Sequence, residues 1–203
     1  HLESRLRAAH AYLKGRLDWT DVDVADDGLE AAGVQANHLI VCTGAQLAGA
    51  RWFADLPLAP EKGEILEIAS TRMLTDTIVN KGHWLVPLAG GGYRFGATHE
   101  HDVADASPSP AGRATLTAGL EDLLACHQGV EVTAQTAGIR PSTRDRQPLI
   151  GTHPACPRLH VFNGFGGRGC LKVPWYAERF ADYLTGQGTI PAEADIARLR
   201  TQR

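Results

Sequence analysis

Gly164-Phe165-Gly166-Gly167-Arg168-Gly169 places four glycines in six residues, between the apolar run 159–162 and a segment of helical periodicity. Glycine lets a backbone come close to a ligand. A helix starting near Cys170 turns free N–H groups and a partial positive charge toward whatever sits there. The run satisfies G-x-G-x-x-G, the dinucleotide-cradle pattern. That cradle needs a following strand and an acidic residue about 20 positions on, and here a single helix follows. The run therefore suits the edge of a ring that becomes negative on reduction, as a flavin does at N1–C2=O, better than an ADP moiety. The alternative is a strand-to-helix turn with no ligand.

Arg140 is the second chemical candidate. A guanidinium binds a carboxylate through two parallel charge-assisted hydrogen bonds. Pro141 biases the residue before it to extended backbone, which suits a side chain projecting from a strand end; the alternative is an ion-paired or surface arginine. His99 and His101 alternate, with Asp102 beside them, and His153, Cys156 and His160 form a looser group. Neither set has zinc-motif spacing, so no metal is expected. His101, His153 and His160 are expected on surfaces or loops. Trp84 is read as a core residue, with ligand contact as its alternative. Asp145 is expected to hold backbone N–H groups or a neighbouring arginine, and Arg144 and Arg146 to be solvated.

The elements that must position these groups are legible in outline. Leu2, Leu6, Ala9, Leu13 and Leu17 recur at helical spacing, predicting an amphipathic helix over 2–17. Residues 22–25 and 29–34 flank Asp26-Asp27-Gly28, a hairpin signal. Residues 38–42 form a continuous apolar run like a buried parallel strand, ending at Thr43-Gly44-Ala45. The middle reads as short strands at 63–68, 77–79, 83–87 and 93–99, with Gly90-Gly91-Gly92 turning an antiparallel hairpin. Ser109 is placed to cap a helix with Pro110 at its first position; that helix should carry Leu116, Leu120, Leu123 and Leu124 and stop at Gly129, before a strand at 130–137. A last helix over 171–184 closes at Gly186, with Pro174 tolerated near its first turn. The plan is α/β, then antiparallel sheet with one helix, then α/β again.

The 203 residues are 43% hydrophobic and 21% charged, with net charge -3, an ordinary balance for a domain with a sizeable core. No basic stripe points to nucleic acid, and no apolar run approaches the ~20 residues of a membrane span. The four cysteines are dispersed without a C-x-x-C pair, which fits a reducing cytoplasm.

With these residues in view, 137–151 (Ala-Gly-Ile-Arg-Pro-Ser-Thr-Arg-Asp-Arg-Gln-Pro-Leu-Ile-Gly) resembles the G-x-R-P-x-T-x-D-x-x-P-x-I-G block of the D-amino-acid oxidase family, to which glycine oxidase and sarcosine oxidase belong. The glycine run follows at the family's distance. Cys42-Thr43-Gly44-Ala45 is similar to its A-A-G-A turn. Residues 60–66 are similar to its P-x-x-G-x-I-L strand, and 84–87 with 95–98 to the hairpin that walls its pocket. The likeness extends over about 22–184.

The resemblance implies an α/β (α+β) fold in which a partial FAD-binding domain (1–58 and 139–203) carries an inserted antiparallel substrate domain (59–138). It implies FAD as cofactor and oxidation of the C–N bond of a small amino acid or secondary amine by hydride transfer to flavin, with no general base assigned. Arg140 would bind the substrate carboxylate, with Trp84 and His99 in the pocket. Thr43, Gly44 and Ala45 would lie near the ADP portion. Gly164, Phe165, Gly166, Gly167, Arg168, Gly169, Cys170 and Leu171 would meet the ring. Trp84 stands where glycine-oxidase-like enzymes carry tyrosine, which bears on substrate choice. The family's own nucleotide fingerprint lies in an N-terminal segment without counterpart here, so that segment is expected as a partner. The alternatives are an enzyme for a larger amine, such as a modified tRNA base, and a non-catalytic remnant of the family.

Overall fold

The computed structural model describes residues 2–25 and 28–199. The chain is a mixed α/β protein with three sheets. Helix α1 (Leu2–Ala8) is followed by a small meander, β1 (Val22–Val24), β2 (Leu29–Ala31) and β3 (Val34–Ala36). The turn at Asp26 and Asp27 lies outside the described residues; Val22 pairs with Ala31 across it. Next come β4 (Leu39–Val41) and β5 (Leu58–Ser70), then β6 (Val79–Lys81), β7 (His83–Pro87), β8 (Tyr93–Gly96) and β9 (Glu100–His101). Helix α2 (Pro110–Leu123) leads into β10 (Val130–Thr143). The chain continues through β11 (Leu149–His153), β12 (Cys156–Asn163) and α3 (Gly169–Leu184).

The large sheet has the order β10-β5-β8-β7-β6, with β9 also paired to β5. Its backbone is the antiparallel ladder of β5 and β10, running from Val130 opposite Ser70 to Thr143 opposite Leu58. Alternation along β5 divides its two faces. Leu66 and Ile68 join Leu85, Tyr93 and Phe95 in a core closed by Leu116 and Leu120 of α2. Glu61, Gly63 and Ile65 take the opposite face, as do Arg140 and Gly138, their ladder partners on β10. The third sheet, β11-β12-β4, carries α3 through Ile150, Tyr176 and Phe180.

Local signals hold where the chemistry is local. The 83–87 and 93–96 hairpin pairs Pro87 with Tyr93 around the three glycines. Ser109 caps α2, its hydroxyl accepting from the Gly112 N–H at 3.0 Å, with Pro110 at the first position. Residues 39–41 pair parallel with β12. At the far end of α3, the Gln187 N–H donates to the Asp182 carbonyl at 2.7 Å and the Gly186 N–H to Tyr183 at 3.1 Å, a helix stop that uses the positive φ of Gly186.

Several expectations change: the helix expected to stop at Gly129 ends at Leu123, and the strand expected at 77–79 lies at 79–81. The helix expected over 2–17 ends at Ala8, and none of its residues is buried; with no packing partner among the described residues, periodicity alone does not carry it. The single strand expected over 29–34 is two strands, because Ala32 (φ 50°) and Gly33 (φ 75°) turn the chain. Helix α3 begins two residues before the expected start, so Pro174 lies inside it rather than in its first turn. His160 is not at the surface: it is 2% exposed on β12, with Nε2 2.9 Å from Nδ1 of His38 and Nδ1 2.9 Å from the Thr152 hydroxyl.

One buried ionic group locks the large sheet to α2. Glu64 is fully buried. It accepts from the Ser109 hydroxyl at 2.7 Å, the Ser109 N–H at 3.0 Å and Gln135 Nε2 at 2.5 Å, and pairs with Lys62 at 3.3 Å. Burial pushes its carboxyl up, but the Ser109 and Gln135 hydrogen bonds and Lys62 outweigh it and hold the pKa below the usual glutamate value.

Candidate functional site

Arg140 belongs to the half of β10 where the ladder passes from the core toward the glycine run. Opposite it on β5 is Glu61, and two residues along the same face is Gly63. The Arg140 side chain leans over Gly63, so closely that a Cβ there would collide with the guanidinium. Its stem also passes Gly167: a Cβ on that glycine would meet Arg140 Cδ at 3.4 Å and Nε at 3.6 Å. The arginine and the glycine run are therefore in packing contact. Its side chain is only 20% exposed, and Nη1 donates to Glu61 Oε1 at 3.1 Å and to the Thr98 carbonyl at 3.2 Å.

Above this pair is a cleft of about 600 Å³, lined by Glu61, His99, Ser142, residues 164–168 and Lys172, among others. Glu61 is its hub. Oε1 receives His99 Nδ1 as well as Arg140, and Oε2 receives the Ser142 hydroxyl at 3.2 Å. Burial works to raise the Glu61 carboxyl, but the His99 hydrogen bond, Arg140 and Ser142 together hold it below the ordinary range. His99 is 62% exposed and faces the cleft. Arg144 and Arg146, expected to be solvated, contribute to the rim; Arg144 stands 3.9 Å from Asp102. Asp145 does hold a backbone N–H, that of Gln147 at 3.0 Å, and pairs with Arg198 at 2.9 Å.

The glycine run leaves β12 as Gly164 (φ 78°), passes Gly166 (φ 52°) and enters α3 at Gly169. A Cβ on Gly166 would stand 2.9 Å from the Ser142 hydroxyl, and one on Gly164 2.9 Å from the Leu149 nitrogen, so both positions need glycine for space as well as for φ. No side chain caps the start of α3, which follows directly on a 3-10 turn over Gly166–Arg168. Asn163 ties this loop to the other predicted one: its Nδ2 donates to the Gly44 carbonyl at 3.0 Å while its Oδ1 accepts from the Gly164 N–H at 2.8 Å.

Of the predicted site residues, His99 and Gly164 to Arg168 line one cleft; Arg140 lies outside that lining, packed against Gly167 and Glu61, and Gly44, between Thr43 and Ala45, is tied to Gly164 through Asn163. Gly169, Cys170 and Leu171 open α3 outside the cleft lining, Leu171 with 82% exposure. Trp84 lies apart from the lining too: it is half-buried across from Gly96, where a Cβ would stand 3.0 Å from its ring. Sequence reasoning missed Glu61 and Ser142. The signal for Ser142 was its i+2 relation to Arg140 on one strand face; that for Glu61 required the β5–β10 register.

The residues fit a flavin on observations of their own. The Thr43 hydroxyl is buried without a hydrogen-bond partner, which costs about 1–3 kcal/mol unless a ligand satisfies it. The glycine run brings the backbone of Gly164, Gly166 and Gly167 to the cleft wall. Among the described residues no group of three or more His, Cys, Asp or Glu is arranged to hold a metal ion, and no helix is long and apolar enough to cross a membrane.

Comparison with known proteins agrees with this geometry. The model of the family described as FAD dependent oxidoreductase matches residues 7–183. The glycine oxidase of Pseudomonas putida is 31% identical over 191 residues, covering 91% of this chain and 49% of that protein. The tRNA 5-methylaminomethyl-2-thiouridine biosynthesis bifunctional protein MnmC of Idiomarina loihiensis is 25% identical over 174 residues, covering 83% of this chain and 28% of that protein. The crystal structure of glycine oxidase from Geobacillus kaustophilus superposes with a TM-score of 0.72 at 28% identity, over 85% of this chain and 49% of that one. The chain thus spans about half the length of such glycine oxidases. A guanidinium beside a glycine-rich loop and a matched model over 7–183 lead to one statement: this chain belongs to the family of FAD-dependent oxidoreductases related to D-amino-acid oxidase and glycine oxidase.

Proposed function

We propose that the chain supplies the substrate-holding and ring-holding half of an FAD-dependent oxidoreductase that oxidises the C–N bond of a small amino acid or secondary amine. The observation that carries the reading is the position of Arg140 against Gly167, which sets a carboxylate-binding group next to the loop suited to the flavin ring. FAD, when bound, supplies the electron acceptor. The residues of this chain position and shield: Arg140 orients the acid group, the Gly164–Gly169 backbone leaves room for close approach, and the α3 terminus favours negative charge.

In this reading residues 1–58 and 139–203 form the FAD-binding part and 59–138 the substrate part. A nucleotide-cradling segment outside these 203 residues completes it. The exposed Leu171, Trp175 and Ile40 side chains and the half-length match to glycine oxidases support that arrangement. A second reading, a larger amine such as a modified tRNA base, draws support from the cations Arg144, Arg146, Arg168 and Lys172 at the cleft and from the likeness to MnmC.

The test is purification of the full-length protein, followed by assay against glycine, sarcosine, D-amino acids and a modified tRNA. A yellow protein with a flavin band and turnover of a small amine supports the first reading, and turnover of the tRNA alone supports the second. A colourless protein that takes up no FAD overturns both and leaves a non-catalytic remnant.

A further inference from the structure

We propose that His99, held by Glu61, accepts the ammonium proton of the substrate before its C–H bond is broken. The inference deepens the flavoenzyme reading above and rests on it. An amine can push out a hydride only with its nitrogen lone pair free, whereas an amino acid in water near neutral pH carries an ammonium group. Some group must take that proton, and the cleft holds one built for it.

The geometry assigns the roles. An ionised carboxylate only accepts hydrogen bonds, so the Glu61 contact places the His99 proton on Nδ1. The neutral ring then has its lone pair on Nε2, which has no partner among the described residues. The ring faces the cleft whose other wall is the glycine run. In the step, an N–H bond of the substrate ammonium breaks and an N–H bond forms at His99 Nε2. The positive charge moves from the substrate nitrogen to an imidazolium paired with Glu61, and the proton leaves to water after the product departs. His99 is the catalytic residue and Glu61 its positioning residue.

The surroundings favour this direction of transfer. From the turn after β10 come Arg144 and Arg146, with Arg140 reaching Glu61 from β10 itself; from β9 and its end, His101 and Asp102; from the α3 side, Arg168 and Lys172. The positive charge stays in the cleft when it passes to His99, and the Glu61 carboxylate on Nδ1 is what favours it there. Arg140 alone does not explain Glu61: a site that only gripped carboxylates would be weakened by an acid group already on its arginine.

Two unreactive ligands separate the possibilities. α-Aminoisobutyrate carries ammonium and carboxylate but no Cα–H, and glycolate carries the carboxylate without the amine. Their dissociation constants are measured by calorimetry on the flavin-loaded protein from pH 5 to 9. For α-aminoisobutyrate, affinity should fall about tenfold per pH unit on the acid side, because a protonated His99 must release its proton first. Glycolate should show no such fall. His99→Gln should abolish the acid limb for α-aminoisobutyrate and leave glycolate affinity within about twofold. Glu61→Gln should lower the affinity for α-aminoisobutyrate relative to glycolate about tenfold. An acid limb that persists in His99→Gln, or variants that shift both ligands together, overturns the proposal while the flavoenzyme reading stands. Flavin-loaded protein that binds neither ligand overturns both.

Discussion

The guanidinium of Arg140 lies across the Cα of Gly63, two residues along the same sheet face from its ladder partner Glu61. Glycine at 63 is therefore a condition for the arginine's position. Gly63→Ala adds one methyl group where the guanidinium now rests, and Arg140 must swing away. Folding stability should fall by about 1–3 kcal/mol, the usual cost of overpacking, and glycolate affinity should fall as Arg140 leaves its place. Glycolate titrations of wild type and variant, beside their unfolding curves, check both halves of that statement.

Thr43 gives a prediction with two opposite signs. Its buried hydroxyl lacks a partner, so Thr43→Val should leave the flavin-free protein as stable or stabilise it by up to about 1 kcal/mol. The same change should weaken FAD retention if the cofactor is what satisfies that hydroxyl. Thermal melts without FAD and a dialysis measurement of FAD affinity report the two effects. Equal losses in both would show the hydroxyl to be structural.

Glu64 anchors α2 to the sheet from inside. Glu64→Ala deletes the acceptor of Ser109, Gln135 and Lys62 and leaves the buried Lys62 charge without its partner. A loss of about 3–5 kcal/mol in urea unfolding is expected, as for other broken buried ion pairs.

His160 ties stability to pH. Burial, aided by the neighbouring His38, lowers its pKa from 6.5 to about 4. The folded state therefore binds fewer protons than the unfolded chain between those values. Its contribution is fully present above about pH 6.5 and is lost as pH falls toward 4, by up to roughly 3 kcal/mol. His160→Gln should flatten the stability profile in that window, which unfolding free energies at pH 7, 6 and 5 would show.

What the sequence revealed depended on distance along the chain. The Ser109-Pro110 cap, the triple-glycine hairpin and the Gly186 stop are decided by neighbours within a few residues, and all three stand as read. The glycine run and Arg140 were legible through their chemistry and through the family block around them. Glu61 was not: residues 60–66 read as a strand with no role for its carboxylate, and only the pairing of residues 79 apart puts that carboxylate on Arg140. His160 was misplaced for the same reason, since its burial is created by β4 and α3 rather than by its own strand. The helix expected over 2–17 failed in the opposite way, having the right period but no surface among the described residues to pack on.

The account rests most directly on whether Arg140 and the glycine run serve one pocket. The deciding measurement is glycolate binding to flavin-loaded wild type and Arg140→Ala, followed through the flavin absorption spectrum. Glycolate should perturb the wild-type spectrum, and Arg140→Ala should keep its flavin while losing glycolate affinity by about 2–3 kcal/mol, the range of a charged hydrogen-bonded contact. A variant that binds glycolate as tightly as wild type, or a wild-type flavin blind to the ligand, would contradict it.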